Sequence, residues 1–408
     1  MTPFRFIVLA ACTAGALSAE LSPAEQAISR AERALQRAPA EARLHNDLAL
    51  ALTRRARETS DPAYYQQARQ ELARSLELEP ENYGALRIDV WALLGQHEFA
   101  RALEGARRLE ELAPDDLLVA AFLTDALVEL GRYEEAAESA QWLLDLRPGA
   151  IPGLTRAAYL RELHGYVEGA AELLQQALDR TPPRETEDRA WLLVQLARLE
   201  RGRGLLEAAE RTLEQAFELF PGYHHALAEL GRLRLDQGRP SDAVEAFERR
   251  YDAAPHPENL ADLADALEAA GRTSQAREAY RRFEALAASE RASADNSNHE
   301  LVFYYADVAE RPAEALAVAR EELERRRDVF TRQAYAWALY RSGELSEALA
   351  ALEPPLALGL RDVDLYYRAG VIAAATGDER AAAAHWRRAL EINPRSRRTA
   401  ELERLLGR

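Results

Sequence analysis

The sequence contains no lysine: all 52 basic residues are arginine, set against 68 acidic ones, for a formal net charge of −16. It has one cysteine, Cys12, and one methionine, at position 1. Without lysine there is no P-loop lysine, no Schiff-base lysine and no kinase β3 lysine. With one cysteine there is no intrachain disulfide, no CxxC pair and no Cys-rich zinc site. The acidic balance argues against a surface that neutralises phosphates, so no nucleic-acid partner is expected. There are only six isoleucines and no alternating strand run, which argues against a sheet. After the N-terminus, no segment approaches 18 uninterrupted apolar residues, so no spanning helix is expected.

Catalytic motifs are equally scarce. There is no GxSxG and no HExxH. Gly202-Arg203-Gly204 begins a nucleotide-type glycine pattern, but Glu207 stands where the third glycine is required. His224-His225 is the one histidine pair, and adjacent helical residues point to different faces. It reads as a repeat-start surface, and His299 beside Asp295 reads as a capped loop. The expectation is a chain with no enzyme activity, no metal and no cofactor.

Residues 1–19, MTPFRFIVLAACTAGALSA, carry Arg5, a short apolar run from Phe6 to Leu17, and the small residues Ala14-Gly15-Ala16. This is the pattern of a secretory signal, cleaved between Ala16 and Ala19. A second reading competes. Leu9-Ala10-Ala11-Cys12 resembles the lipobox of bacterial lipoproteins, in which Cys12 is lipidated and becomes the anchor. The chain is thus expected in the periplasm or secreted, or alternatively lipid-anchored to the outer membrane.

What the sequence does contain is a period. Ala68, Ala102, Ala136, Ala170, Ala209, Ala243, Ala276, Ala315, Ala348 and Ala382 follow one another at gaps of 33 to 39 residues, mostly 34. Five residues before seven of these alanines sits a glycine, and twelve residues after seven of them a proline. With Gly 20 and Pro 18 in the whole chain, neither offset arises by chance. The glycine suits a turn between two helices, the alanine a close helix–helix approach, and the proline a helix end.

This pattern resembles the tetratricopeptide repeat, a 34-residue helix–turn–helix. The unit 224–257 shows it best, with Leu230-Gly231, Gly238, Ala243, Phe247 and Pro255. The resemblance implies an all-α fold: an α-solenoid, wound as a right-handed superhelix, of about ten repeats over 20–396. A lone helix at 22–39 precedes them and a capping helix at 397–408 follows. The repeats begin near 42, 83, 117, 151, 190, 224, 257, 297, 329 and 363. Repeat one is expected to hold a loop, RARETSDPAYY, between its helices, and PRETED a link before repeat five. The section 288–360 is irregular: Ala288, Arg327 and Leu360 replace the expected prolines, and Pro354-Pro355 should end or kink a helix. The arginine runs 325–327 and 395–398 read as solvated helix faces.

In this family the first helix of each repeat lines a concave groove. Transferring that register gives Phe330, Gln333, Trp337 and Tyr340 in repeat nine, Tyr367 in repeat ten, and Arg87 and Trp91 in repeat two. Phe330, Trp337, Tyr340 and Tyr367, together with Tyr304 or Tyr305, are expected to form an aromatic anchor for a peptide or partner helix. The carboxylate-gripping clamp of some co-chaperones is absent, since Ile88 and Trp91 follow Arg87. The expectation is a protein–protein interaction scaffold of the bacterial cell envelope. Its alternatives are an outer-membrane assembly factor for a secretion, pilus or polysaccharide-export complex, and a glycan- or cell-wall-binding protein.

Overall fold

The computed structural model describes residues 21–407, and the expected export signal with Cys12 lies outside them. Among the described residues there are helices and no strands. A leading helix, Pro23–Arg37, is followed by ten antiparallel helix pairs and a closing helix, Thr399–Leu405. The pairs match the ten sequence repeats in number and register. All ten anchor alanines are fully buried, because a larger side chain there would hold the paired helices apart. Asn82, Asp116, Asp328 and Asp362 each accept a backbone N–H in the first turn of the helix they precede. Each such cap stabilises its helix by about 1 kcal/mol.

The insertions do not form the loops expected of them. In repeat one the first helix runs Ala42–Thr59 and the second starts at Ala63, so the connection is three residues. Ser60 closes the helix in the left-handed conformation, at φ 53°. Part of PRETED is likewise helical, since the first helix of repeat five is Thr186–Gly202. Extra residues here became extra turns, because the inserted segments have no glycine and continue good helix formers. Pro354-Pro355 also fails to end its helix, which runs Leu345–Leu358 until Gly359 stops it at φ 90°. Each proline removes one N–H donor from the helix ladder, but only one turn follows them, and Pro355 is buried.

A solenoid normally couples each repeat only to its neighbours. This one also touches itself. The Arg327 amide, in the linker after repeat eight, donates to the Glu129 carbonyl of repeat three at 2.9 Å. Asn393, after repeat ten, donates through Nδ2 to the Arg201 carbonyl of repeat five at 2.9 Å. Arg361, after repeat nine, faces Glu168 of repeat four at 3.5 Å, and Arg395 grips Glu207 of repeat five at 2.7 and 2.8 Å. His97 of repeat two lies 3.6 Å from Asp295, between repeats seven and eight. Arg57, in the added turn of repeat one, pairs with Glu187 and Asp188 of repeat five. The offset for repeats two to five is five repeats. The chain is therefore two turns of a tight coil, with the helix–helix turns of the first docked on the inter-repeat linkers of the second.

This seam explains one of the missing prolines. Arg327 stands at a proline position, and its N–H is the donor to Glu129; proline has no N–H to give. The four linkers that face outward keep theirs, at Pro80, Pro114, Pro148 and Pro182, and all four are exposed. It also separates glycines that look alike in sequence. Gly165 has φ 79°, and a Cβ there would run into the Gly359 carbonyl oxygen of the other turn. Gly343 has φ 81° with open space around it. Gly343→Ala is expected to lose only the left-handed penalty, about 1–2 kcal/mol. Gly165→Ala should lose about 3 kcal/mol, a large single-site effect, and should raise the radius of gyration. Denaturant titration and solution scattering of the two variants check this.

Candidate binding surface

The first helices of the repeats face the inside of the coil, and two of the cavities there are lined by described residues. The larger, about 450 Å³, lies between repeats four to seven of the chain and repeats nine and ten. The smaller, about 310 Å³, is bounded by Trp91, Leu94, His97, Phe99, Tyr159 and Arg326. Phe330 lines the first and Trp91 the second. Trp91 lies face to face with Phe122, with ring centroids 6.4 Å apart.

The large cavity is walled by charge that is mostly paired. Arg198 bridges Glu162 at 2.5 Å, and Arg201 bridges Glu229 at 2.5 Å and Asp236 at 3.0 Å. Arg398 pairs with Asp364. Burial pushes the Asp364 carboxyl up, but Arg398 and Arg368 outweigh it and hold it well below the usual carboxylate range. Glu300 behaves in the opposite sense. Burial and then the nearby Glu258 push its carboxyl up to about 8.

The aromatic residues expected to form one exposed patch are divided. Trp337 is 7% exposed, and its indole N–H donates to Asp307 at 2.9 and 3.0 Å. Its ring packs 4.9 Å from that of Tyr340, which is half-buried. Tyr367 donates its hydroxyl to Glu401 of the closing helix at 2.8 Å, with Arg398 stacked 4.1 Å above the ring. Tyr304 donates to Glu284 at 2.9 Å, and Tyr305 is buried beneath Arg311. Trp337 and Tyr305 are therefore packing residues, because the tight coil turns first-helix positions inward, while Tyr304 stays half-buried. Phe330 and Tyr340 keep partial access.

Gln333 is buried. With its amide turned so that the oxygen faces the donors, Oε1 accepts from the Leu365 amide and from Arg368, both at 2.8 Å. Arg87 is held by Asp116 at 2.7 Å, with Tyr83 donating to the same carboxylate at 2.9 Å.

Several residues that sequence reading passed over carry the site. Arg368 lies 4.1 Å over Phe303 and 5.8 Å from the Trp337 ring, and burial lowers its pKa. The arginine runs are not plain solvated faces: Arg326 bridges Glu129 at 2.5 Å and Asp328 at 2.9 Å, and Arg395 belongs to the seam. His224 is not a surface residue. It is 2% exposed, and its Nε2–H donates to the Arg57 carbonyl at 3.2 Å. One signal was available: Arg327, Arg361 and Arg395 recur at spacings of 34.

Comparison with known proteins agrees with this architecture. Tetratricopeptide-repeat family models match residues 123–185, 194–258 and 363–396. No curated protein matches the sequence significantly. Among solved structures, the human IFIT1 dimer with PPP-AAAA is 14% identical, at a TM-score of 0.51, covering 91% of this chain and 95% of that one. The same protein with m7Gppp-AAAA gives the same figures. PilW, a widely conserved type IV pilus biogenesis factor, is 15% identical at a TM-score of 0.43, covering 50% of this chain and 93% of that one. The repeat register, the ten helix pairs and the family-model matches agree in making this chain an all-α solenoid of tetratricopeptide-type repeats.

Proposed function

We propose that this protein is a non-catalytic protein-interaction scaffold of the bacterial cell envelope that holds a short extended segment of a partner protein inside its coil. The observation that carries this is the pair of cavities on the first-helix side, each with an aromatic wall, Phe330 in one and Trp91 in the other. Their sizes refine the reading. One turn of a helix with side chains, about 10–12 Å across, already takes up about the whole of the larger cavity, so an extended segment is the better fit. Six of the seven arginines lining the larger cavity are paired with carboxylates, which leaves little free positive charge for phosphates. Export rests on residues 1–19, with lipidation at Cys12 as the alternative to cleavage.

Phe330→Ala and Trp91→Ala are the informative variants, since Trp337 would report on folding instead. A photoactivated crosslinker suits a chain without lysine, and crosslinked partners from the envelope fraction are identified by mass spectrometry. Each variant is expected to lose most of the captured partner while keeping wild-type helicity. Undiminished recovery of the same partner in both would end the cavity reading.

A further inference from the structure

The seam leaves two edges of the coil unmatched, and they are its two complementary halves. On one edge lie the linkers after repeats one to four, and on the other the helix–helix turns of repeats six to ten. In the second coil turn, linker residues Leu360 and Asn393 and the preceding Ile392 are buried at 4%, 2% and 3% exposure. The corresponding stretch of the first coil turn is open. Leu78, Leu112 and Leu146, each separated by 34 residues and in register with Ile392, are 44%, 63% and 42% exposed. Trp142, one helical turn before Leu146, and Leu118 add 39% and 41%. The opposite edge shows the same contrast. Gly131, Gly165 and Gly204 meet the neighbouring coil turn, whereas Gly238, Gly271, Gly343 and Gly377 meet nothing within 4 Å.

We propose that these two edges dock on one another between copies of this chain, so that the coil continues from one molecule into the next in a head-to-tail stack. The contact repeats the geometry of the internal seam, with a five-repeat offset carried across molecules. That offset sets repeat six of one copy over repeat one of the next, and repeat seven over repeat two. The charges fall in register. Arg239 and Arg272 of the turn edge then stand against Glu79, Glu81 and Asp115 of the linker edge, all at the surface. In the internal seam the signs are reversed, with arginine on the linker and glutamate on the turn. Apolar side chains exposed in a row on an edge are a docking feature, and a contact between two different surfaces generates open stacks rather than closed dimers.

Sedimentation velocity of the full chain carrying Cys12→Ser tests this over a wide concentration range. The wild-type edges are expected to give species larger than dimers as concentration rises. Leu112→Glu with Leu146→Glu removes the linker edge, and Ser241→Glu with Ser274→Glu places acid on the turn edge. Each double variant alone is expected to weaken self-association at least tenfold while keeping its circular dichroism spectrum. Mixed together, they retain one good edge each and are expected to form a heterodimer and nothing larger. A monomer at every concentration overturns the proposal. So does self-association that survives both double variants, and so does a wild-type species that stops at a dimer.

Discussion

Arg326→Ala is expected to destabilise the protein by about 3 kcal/mol, the lower end of what breaking a buried ion pair costs. The side chain bridges Glu129 in the first coil turn and Asp328 in the second, and its guanidinium lies 5.4 Å over the Phe99 ring. Asp328 is 2% exposed and caps the first helix of repeat nine. Truncation leaves two carboxylates facing one another without their shared cation. Arg107, an exposed partner of Glu135 at 3.3 Å, provides the contrast, and Arg107→Ala is expected to change stability by less than about 1 kcal/mol. Urea titration of the two variants measures the difference. If the seam is an integral part of the fold, Glu129→Gln combined with Arg326→Met recovers part of the loss, because the stranded charge is removed with its partner. Equal effects for Arg326→Ala and Arg107→Ala would mean that the two coil turns are not held together here.

The second large effect is on acid stability. Burial lowers the His224 pKa to about 4, from an ordinary value near 6.5. Its ring lies where repeat one meets repeat six, within 3.4 Å of the Ser60 hydroxyl. Above about pH 6.5 the ring is neutral in both folded and unfolded chains and contributes no pH dependence. As pH falls from 6.5 towards 4, the unfolded chain binds a proton that the folded chain refuses, and stability falls. For His224 the full loss is about 3 kcal/mol by pH 4. His299 is also lowered to about 4, chiefly by burial, and adds to the trend.

Glu300 opposes the histidines. With its folded pKa raised to about 8, its contribution is present below the ordinary carboxylate range and is lost as pH rises from about 4 to 8. The clean reading is therefore a difference between variants. His224→Gln relative to wild type should gain about 3 kcal/mol between pH 7 and pH 4, measured by denaturant titration at each pH. A constant difference across that range would show that His224 is solvated and the repeat-one contact open.

Ten repeats, their order and their boundaries were legible because each rests on local chemistry: a turn glycine, an anchor alanine, a terminating proline. The section after residue 288 departs from the glycine and proline pattern in the sequence itself. Its cause was not legible, since the replacement of proline by Arg327 makes sense only with the Glu129 carbonyl in view, 198 positions earlier in the chain. Coil tightness comes from a small rotation accumulated over every repeat, and no sequence window contains it. The same gap misplaced Trp337. Its register position on the first helix was read as groove-facing, but in a coil of five repeats per turn that face is largely inside the protein. The inserted residues were seen as loops for a related reason. Arg57 and Glu187 look like ordinary charged residues until the added helical turns bring them together.

The closure of one coil turn upon the other is tested most directly by a distance. Cys12 is the one natural cysteine, so Cys12→Ser provides a background for spin labels at Arg132→Cys in repeat three and Arg327→Cys after repeat eight. The seam predicts a single short, narrow distance distribution, because the Arg327 amide lies 2.9 Å from the Glu129 carbonyl. An open superhelix, with five helix pairs stacked between the labels at about 8–10 Å per helix, predicts a broad distribution centred at several tens of ångströms, and that result would contradict the account.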